Sequence, residues 1–194
     1  MRGLVLALVL VSCAPKSGAL DGPVSIVGMP TADTPIPWDP GVTAGQLDNG
    51  LHWFVETNAQ PKERAELRLV INAGSILEDD DQLGLAHFLE HMAFNGTTHF
   101  EGNALIDYME SVGMSFGAHV NAYTSFDETV YQLTVPTDDP ALVDRGLLVL
   151  RDQAGGMLLD PYEIERERGV VLEEWRSGRG PNERIGDAVW TGFY

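Results

Sequence analysis

Apolar and polar positions alternate with a two-residue period in several segments after residue 41, which is typical of strands. Runs at 51–55 and 67–71 are β-prone, are separated by a polar loop, and follow the turn-forming sequence Asp48-Asn49-Gly50. Residues 116–123 and 129–135 are also strand-like, and the second run alternates clearly. We expect the first two runs to form a hairpin and the other two to pair with each other.

Four further segments have patterns that predict helices. The first covers about 82–94, with acidic residues 79–81 at its N-terminus and Asn95-Gly96 as a stop signal. The second covers about 103–111. Asp138-Asp139-Pro140 begins the third, which runs to about residue 153, and Asp160-Pro161 begins the fourth, which ends near Gly178.

The first predicted helix is apolar on nearly all sides. One face carries His87, Glu90 and His91, with Leu83 and Phe94 beside them. The other face is made of large apolar residues, namely Leu85, Phe88, Leu89 and Met92. This pattern predicts that the helix lies in the interior of the domain.

The N-terminal residues have the pattern of an export signal. Met1 and Arg2 precede a short apolar run at 3–11 that is too short for a permanent membrane span. We expect residues 1–13 to take no part in the fold. Leu10-Val11-Ser12-Cys13 resembles the bacterial lipobox, and Cys13 is the only cysteine. Lipidation of Cys13 is therefore favoured over a structural thiol, and the proline-rich residues 14–41 are interpreted as a tether.

Composition limits the classes of function. The 194 residues are 44% hydrophobic and 21% charged, as in an ordinary globular domain. The net charge of −17 argues against binding to nucleic acid or to an anionic membrane surface. Any membrane contact is expected only through a lipid anchor.

The sequence His87-Phe88-Leu89-Glu90-His91 has the spacing of a metal site. Two histidines four residues apart project from the same side of a helix and can bind one Zn²⁺, with Glu90 placed as a general base. The alternative is a pair of buried, mutually hydrogen-bonded histidines and a salt-bridged Glu90. A metal is favoured because it offsets the desolvation of all three groups together.

A catalytic zinc needs a third protein ligand, and the fourth helix offers candidates. One stripe of that helix should pack inward, and it consists of Ile164, Glu167, Arg168, Val171, Glu174 and Trp175. Spacing alone leaves Glu167 and Glu174 as competing ligands. Glu173 lies about 100° further round and is expected to form an exposed salt bridge. The alternative for Glu167 and Glu174 is ion pairing with nearby arginines.

Residues 84–97 (Gly-Leu-Ala-His-Phe-Leu-Glu-His-Met-Ala-Phe-Asn-Gly-Thr) closely resemble the zinc helix of the pitrilysin/insulinase family, the inverted zincins or peptidase family M16. Residues 48–51 and 73–78 resemble the opening hairpin of that family, and residues 165–174 resemble its second metal helix. The resemblance spans residues 47–176.

The resemblance implies an α+β fold, with a mostly antiparallel sheet packed against helices as in mitochondrial processing peptidase. It also implies one Zn²⁺ per domain, with Glu174 as the third ligand beside His87 and His91, and Glu167 orienting a histidine. Residues 121–124 (Asn-Ala-Tyr-Thr) resemble the edge strand that binds an extended peptide by β-augmentation, with Asn121, Ala122 and Tyr123 as the implied substrate-binding residues. The remaining histidines, His52, His99 and His119, are expected to be solvated or hydrogen-bonded.

The function so implied is that of a zinc-dependent metalloendopeptidase, with Glu90 as the general base. The rivals are a catalytically silent family scaffold and a metal-binding lipoprotein. We expect residues 42–194 to be the N-terminal peptidase domain, truncated at its C-terminal end, of a longer protease with family-related C-terminal domains. The signal pattern and the resemblance together predict a periplasmic or outer-membrane-anchored lipoprotein of a Gram-negative bacterium.

Overall fold

The computed structural model describes residues 3–5 and 39–193. Within them the strands are β1 (Gly3–Val5), β2 (Val42–Gln46), β3 (His52–Asn58), β4 (Arg64–Ile71), β5 (Val120–Thr124) and β6 (Thr129–Pro136). The helices are α1 (Leu85–Met92), α2 (Ala104–Ser111), α3 (Pro140–Gly155), α4 (Pro161–Gly178) and α5 (Pro181–Phe193), and Ser75–Leu77 forms a 3-10 turn. All four predicted helices are present. None of the helices in this part of the chain is both long and apolar enough to cross a membrane.

The strands form two three-stranded sheets, with the orders β1-β3-β2 and β4-β6-β5. Every pair is antiparallel, which confirms the predicted α+β fold with antiparallel sheets. The predicted pairing of the third and fourth strand-like runs is also confirmed, because β5 pairs with β6. The strand β5 begins later than predicted, at Val120, and lies at an edge of its sheet.

The predicted hairpin between the runs at 51–55 and 67–71 is wrong. Strand β3 pairs with β2, whereas β4 pairs with β6 in the other sheet. The turn at Asp48-Asn49-Gly50 does close a hairpin, but it joins β3 to β2, which the sequence pattern did not reveal. In β2, a Cβ on Gly45 would come within 2.5 Å of the Trp53 ring, so this strand depends on close approach to its partner.

The core lies on one face of the sheet β4-β6-β5. In strand β6, Tyr131, Leu133 and Val135 are buried opposite the buried residues Ala65, Leu67 and Leu69 of β4, and from residue 131 onwards buried and half-buried positions alternate. Helix α3 covers this face, and α1 contacts β5 and β6 on the same side. Strand β5 therefore turns Val120, Ala122 and Thr124 towards the interior, beside α1.

The N-terminal predictions concern residues that are mostly outside the described part of the chain. Three of them, Gly3–Val5, form β1 and pair with β3. The expectation that residues 1–13 take no part in the fold is therefore not met for these three residues. Cys13 and nearly all of the predicted tether lie outside the described residues, so cleavage and lipidation remain predictions.

Candidate metal centre

The N-cap residue of helix α1 is Gly84, so the helix begins later than the predicted start next to the acidic residues 79–81. Gly84 has a φ of +90°, a left-handed conformation that favours glycine, and it is the last residue before the helix. The Glu78 carboxylate accepts hydrogen bonds from the N–H groups of Gly84 (2.8 Å) and Ala86 (2.7 Å). Glu78 thus supplies the negative charge at this helix N-terminus that we expected from residues 79–81.

Helix α4 is the second element of the site and contacts α1. Its N-terminus has the predicted signals: Pro161 stands in the first turn, and the Asp160 carboxylate accepts from the N–H of Tyr162 at 2.8 Å. Asn95, just after α1, accepts a hydrogen bond from Arg166 at 3.1 Å. This contact joins the end of α1 to the first half of α4.

Three candidate ligand atoms converge between α1 and α4. His91 Nε2 lies 3.2 Å from His87 Nε2 and 3.2 Å from Glu174 Oε2, and the third side of the triangle, from His87 Nε2 to Glu174 Oε2, is 3.8 Å. Within the described residues these three side chains form a His-His-Glu cluster that can hold a metal ion. Ligands at zinc distances in a tetrahedral site are about 3.3 Å apart. The triangle therefore has the size that a zinc ion requires.

The hydrogen bonding of His91 strengthens this fit. Its Nδ1 lies 2.8 Å from Glu167 Oε1, and Glu167 is buried. Because a carboxylate only accepts, Nδ1 carries a proton, and in the neutral ring Nε2 then presents a lone pair to the triangle. That lone pair faces the Glu174 carboxylate. A proton on His87 can satisfy one of these contacts, whereas a divalent cation satisfies all three.

Glu90 lies on the same face of α1 and is buried, with 9% exposure. Its Oε2 accepts a hydrogen bond of 2.6 Å from the hydroxyl of Thr124, the last residue of β5. Burial, together with the nearby Glu90 charge, raises the pKa of Tyr131 well above its ordinary value, so this tyrosine stays protonated. The Tyr131 hydroxyl near the Glu90 carboxylate is therefore neutral.

These side chains line one cavity of about 590 Å³. The predicted ligands, Glu90 and Glu167 are all in its wall, and so are Asn121, Ala122, Tyr123 and Thr124 of β5. The structure thus brings together all the described site residues that the sequence predicted. Thr124 and Glu78 contribute contacts that the sequence analysis did not assign.

The free edge of β5 faces this site with main-chain groups. The N–H of Ser125 donates to Glu128 C=O at 2.8 Å, and the N–H of Thr134 donates to His119 C=O at 2.7 Å. Hydrogen-bonded pairs alternate along an antiparallel ladder, so the main-chain groups of Ala122 and Thr124 point away from β6. The side-chain amide oxygen of Asn121 accepts from Ala122 N–H at 3.0 Å.

The other predicted histidines and carboxylates have structural contacts. His52 contacts Gln46, His119 contacts Ser115, and His99 Nδ1 lies 2.9 Å from the fully buried Asp152. Burial alone would raise the pKa of Asp152, but hydrogen bonds from His99 and other donors lower it below its ordinary value. Glu173 forms the predicted exposed salt bridge, at 3.3 Å from Arg176.

Two packing expectations need correction. Helix α1 is not buried on all sides, because Leu85 is 50% and Leu89 41% exposed. The inward stripe of α4 is only partly realised: Glu167 is buried, but Trp175 is 54% exposed. The apolar faces of α1 and α4 meet along a groove instead of a closed core, since periodicity identifies an apolar face but not what covers it.

Two histidines one turn apart, a carboxylate from a second helix, and an antiparallel sheet behind them define an α+β metal-site domain with the H-x-x-E-H arrangement. The chain belongs to the insulinase family, peptidase family M16, whose family model matches residues 54–179. The family that the sequence resembles is thereby confirmed.

Bacterial relatives agree with this assignment. The chain is 44% identical over 152 residues to the probable zinc protease PqqL of Haemophilus influenzae, covering 78% of this chain and 16% of that protein. It is 42% identical over 153 residues to the probable zinc protease PqqL of Escherichia coli, covering 79% of this chain and 16% of that protein.

A solved structure shows the same fold. The crystal structure of the first half of the periplasmic protease PqqL from Escherichia coli superposes with a TM-score of 0.76 at 42% identity. The match covers 79% of this chain and 33% of that one. The chain therefore spans about a sixth of the length of the curated relatives that it matches.

Proposed function

We propose that the protein carrying this chain is a zinc-dependent metalloendopeptidase that hydrolyses extended peptides or small proteins. The observation that carries the proposal is the triangle of His87, His91 and Glu174 ligand atoms, with the buried Glu90 carboxylate in the wall of the same cavity. Three nitrogen and oxygen ligands with a base beside them are typical of a catalytic zinc site, whereas structural sites are closed by four ligands.

In this proposal His87, His91 and Glu174 hold one zinc ion. A zinc ion held there would supply Lewis-acid chemistry, which would polarise the substrate carbonyl and make water easier to deprotonate. Glu167 holds His91 through its Nδ1 proton and keeps the Nε2 lone pair directed at the metal position. Glu90 takes a proton from the attacking water and then delivers it to the leaving amine.

The substrate is proposed to bind as an additional strand on β5. The main-chain groups of Ala122 and Thr124 point to the free edge, and residues 121–124 line the cavity that contains the proposed metal ligands. An extended peptide can pair with such an edge irrespective of most of its side chains. The Asn121 side chain, which contacts the Ala122 N–H, would have to yield to the peptide.

The location and the rest of the protein are also proposals. The apolar N-terminal run, with Cys13 at its end, supports export and a lipid anchor in a Gram-negative envelope, and the similar PqqL of Escherichia coli is described as periplasmic. Because the matched relatives are far longer than this chain, we propose that family-related C-terminal domains complete the substrate chamber.

Replacing Glu90 by Gln tests the enzymatic proposal. The variant keeps the shape of the side chain but cannot take a proton, so we expect wild-type zinc content and a loss of peptide cleavage of about 10²-fold or more. Metal content is measured by atomic emission and cleavage with a quenched fluorescent peptide library. Glu110→Gln, on the exposed side of α2, is the control and should retain full activity.

The outcomes separate the rivals. Zinc binding without cleavage by the wild-type protein would point to a metal-binding lipoprotein, and absence of both to a silent scaffold. Cleavage by Glu90→Gln at the wild-type rate would refute the role of Glu90 as base.

A further inference from the structure

Thr124 makes a contact that the proposed mechanism does not yet use. Its hydroxyl lies 2.6 Å from Glu90 Oε2, a short distance typical of a hydrogen bond to a charged carboxylate. The hydroxyl must be the donor, because an ionised carboxylate only accepts. One of the two oxygens of Glu90 is therefore held, and Oε1 remains to take a proton.

The surroundings of Thr124 direct its hydroxyl to Glu90. The other hydroxyl nearby, that of Thr129, donates to Ala73 C=O at 2.9 Å and lies 3.5 Å from the Thr124 oxygen. Threonine is β-branched, so its χ1 angle is restricted and its hydroxyl is held in a defined direction. The Thr124 hydroxyl therefore has few alternative directions, and in the observed one it meets the Glu90 carboxylate.

Thr124 also belongs to the strand edge on which the peptide is proposed to bind. Its side chain points to α1, while its main-chain N–H and C=O point away from β6 along the free edge. One residue therefore contacts both the proposed general base and the proposed peptide-binding strand. Within residues 39–193, Thr124 is the one side chain that forms a hydrogen bond with the Glu90 carboxylate.

We propose that Thr124 is a positioning residue that orients the Glu90 carboxylate relative to a peptide bound on β5, so that one oxygen of Glu90 faces the reacting water. This inference rests on the proposed peptidase function. A purely structural alternative is that the bond only fastens α1 to β5. The two differ because fastening affects stability and metal binding, whereas positioning affects turnover.

The test compares Thr124→Val, which keeps the shape but removes the hydroxyl, with Thr124→Ser, which keeps a hydroxyl. For Thr124→Val we expect kcat to fall about 10-fold or more, a part of the roughly 10²- to 10⁴-fold that a general base contributes, with KM and zinc content unchanged. Thr124→Ser should recover kcat to within about 3-fold of the wild type, since the donor is restored.

A readout that does not depend on activity comes from the metal-free protein. With ¹³C-labelled glutamate, the Glu90 carboxyl signal should shift in Thr124→Val and return in Thr124→Ser. Thr134→Val is the matched control, because Thr134 donates a similar hydrogen bond of 2.9 Å to Glu66 on β4, outside the cavity. We expect this control to change neither kcat nor the Glu90 signal.

Several results would overturn the inference. It fails if Thr124→Val keeps the wild-type kcat, if Thr124→Ser is as impaired as Thr124→Val, or if the loss of activity follows a loss of zinc or of folded protein. An inactive wild-type protein would overturn the proposed function and this inference together. An active wild type with a fully active Thr124→Val would overturn this inference alone.

Discussion

The two faces of α1 differ in how their side chains are accommodated. On one face, His87, Glu90 and His91 each contact a polar partner from α1, α4 or β5. On the opposite face, Leu85 and Leu89 are half exposed and line a groove of about 550 Å³ against the apolar side of α4. The faces lie about half a turn apart on the same eight residues.

This difference shows which interactions hold the site. The side chains of the polar face are held by hydrogen bonds and charge pairs, which depend on the direction of each group. The side chains in the groove make apolar contacts, which tolerate a change of side chain better. We therefore expect metal binding to depend on the partners of the polar face and to be nearly insensitive to the groove side. Three substitutions test this contrast, from the largest effect to the smallest.

Loss of a proposed ligand should have the largest effect. Glu174→Gln removes the charged oxygen from the triangle. We expect zinc affinity to fall more than about 100-fold, which exceeds the effect of losing a residue that only hydrogen-bonds to a ligand. Affinity is measured by competition with a chromophoric chelator. Glu173→Gln is the matched control, because Glu173 is adjacent to Glu174 in the sequence but its carboxylate pairs with Arg176 at the exposed surface. Equal losses in both variants would contradict the ligand assignment.

Loss of the carboxylate behind His91 should have an intermediate effect. Glu167→Gln leaves an oxygen that can accept from Nδ1 but removes its charge, so we expect zinc affinity to fall about 10- to 100-fold. The same chelator competition measures it. Glu165→Gln, whose carboxylate pairs with Arg168 at the surface, should bind zinc like the wild type. Unchanged affinity in Glu167→Gln would show that this contact does not tune the histidine.

A change on the groove side should have the smallest effect. Leu89 is 41% exposed, so Leu89→Gln should change the free energy of unfolding by about 1 kcal/mol or less and leave zinc affinity unchanged. Urea denaturation measures the first quantity. For comparison, Met92→Ala removes a fully buried side chain from the end of α1 and should cost about 2–5 kcal/mol. If Leu89→Gln weakened zinc binding, the proposed independence of the two faces would be wrong.

Local pattern misplaces two features of the fold for physical reasons. It pairs the β-prone runs at 51–55 and 67–71, whereas the true partner of β3 is β2, whose Gly45 allows the Trp53 ring to approach closely. Local pattern also predicts that residues 79–81 supply the negative charge at the start of α1, whereas the chain folds back so that Glu78 reaches the helix N–H groups. Neither contact has a signature in local spacing.

Local pattern in the chain is enough to predict the four helices and the pair of histidines with Glu90 on one helical face, because these depend on periodicity and on spacing within one turn, whereas the α+β class followed from the family resemblance. Spacing leaves Glu167 and Glu174 equivalent, since both lie on the same stripe of α4, and the family resemblance alone favours Glu174 as the ligand. The tertiary structure gives the physical difference between them, because the crossing of α1 and α4 brings Glu167 to Nδ1 of His91 and Glu174 to Nε2. The contact between Thr124 and Glu90 likewise exists only because strand β5 packs beside α1.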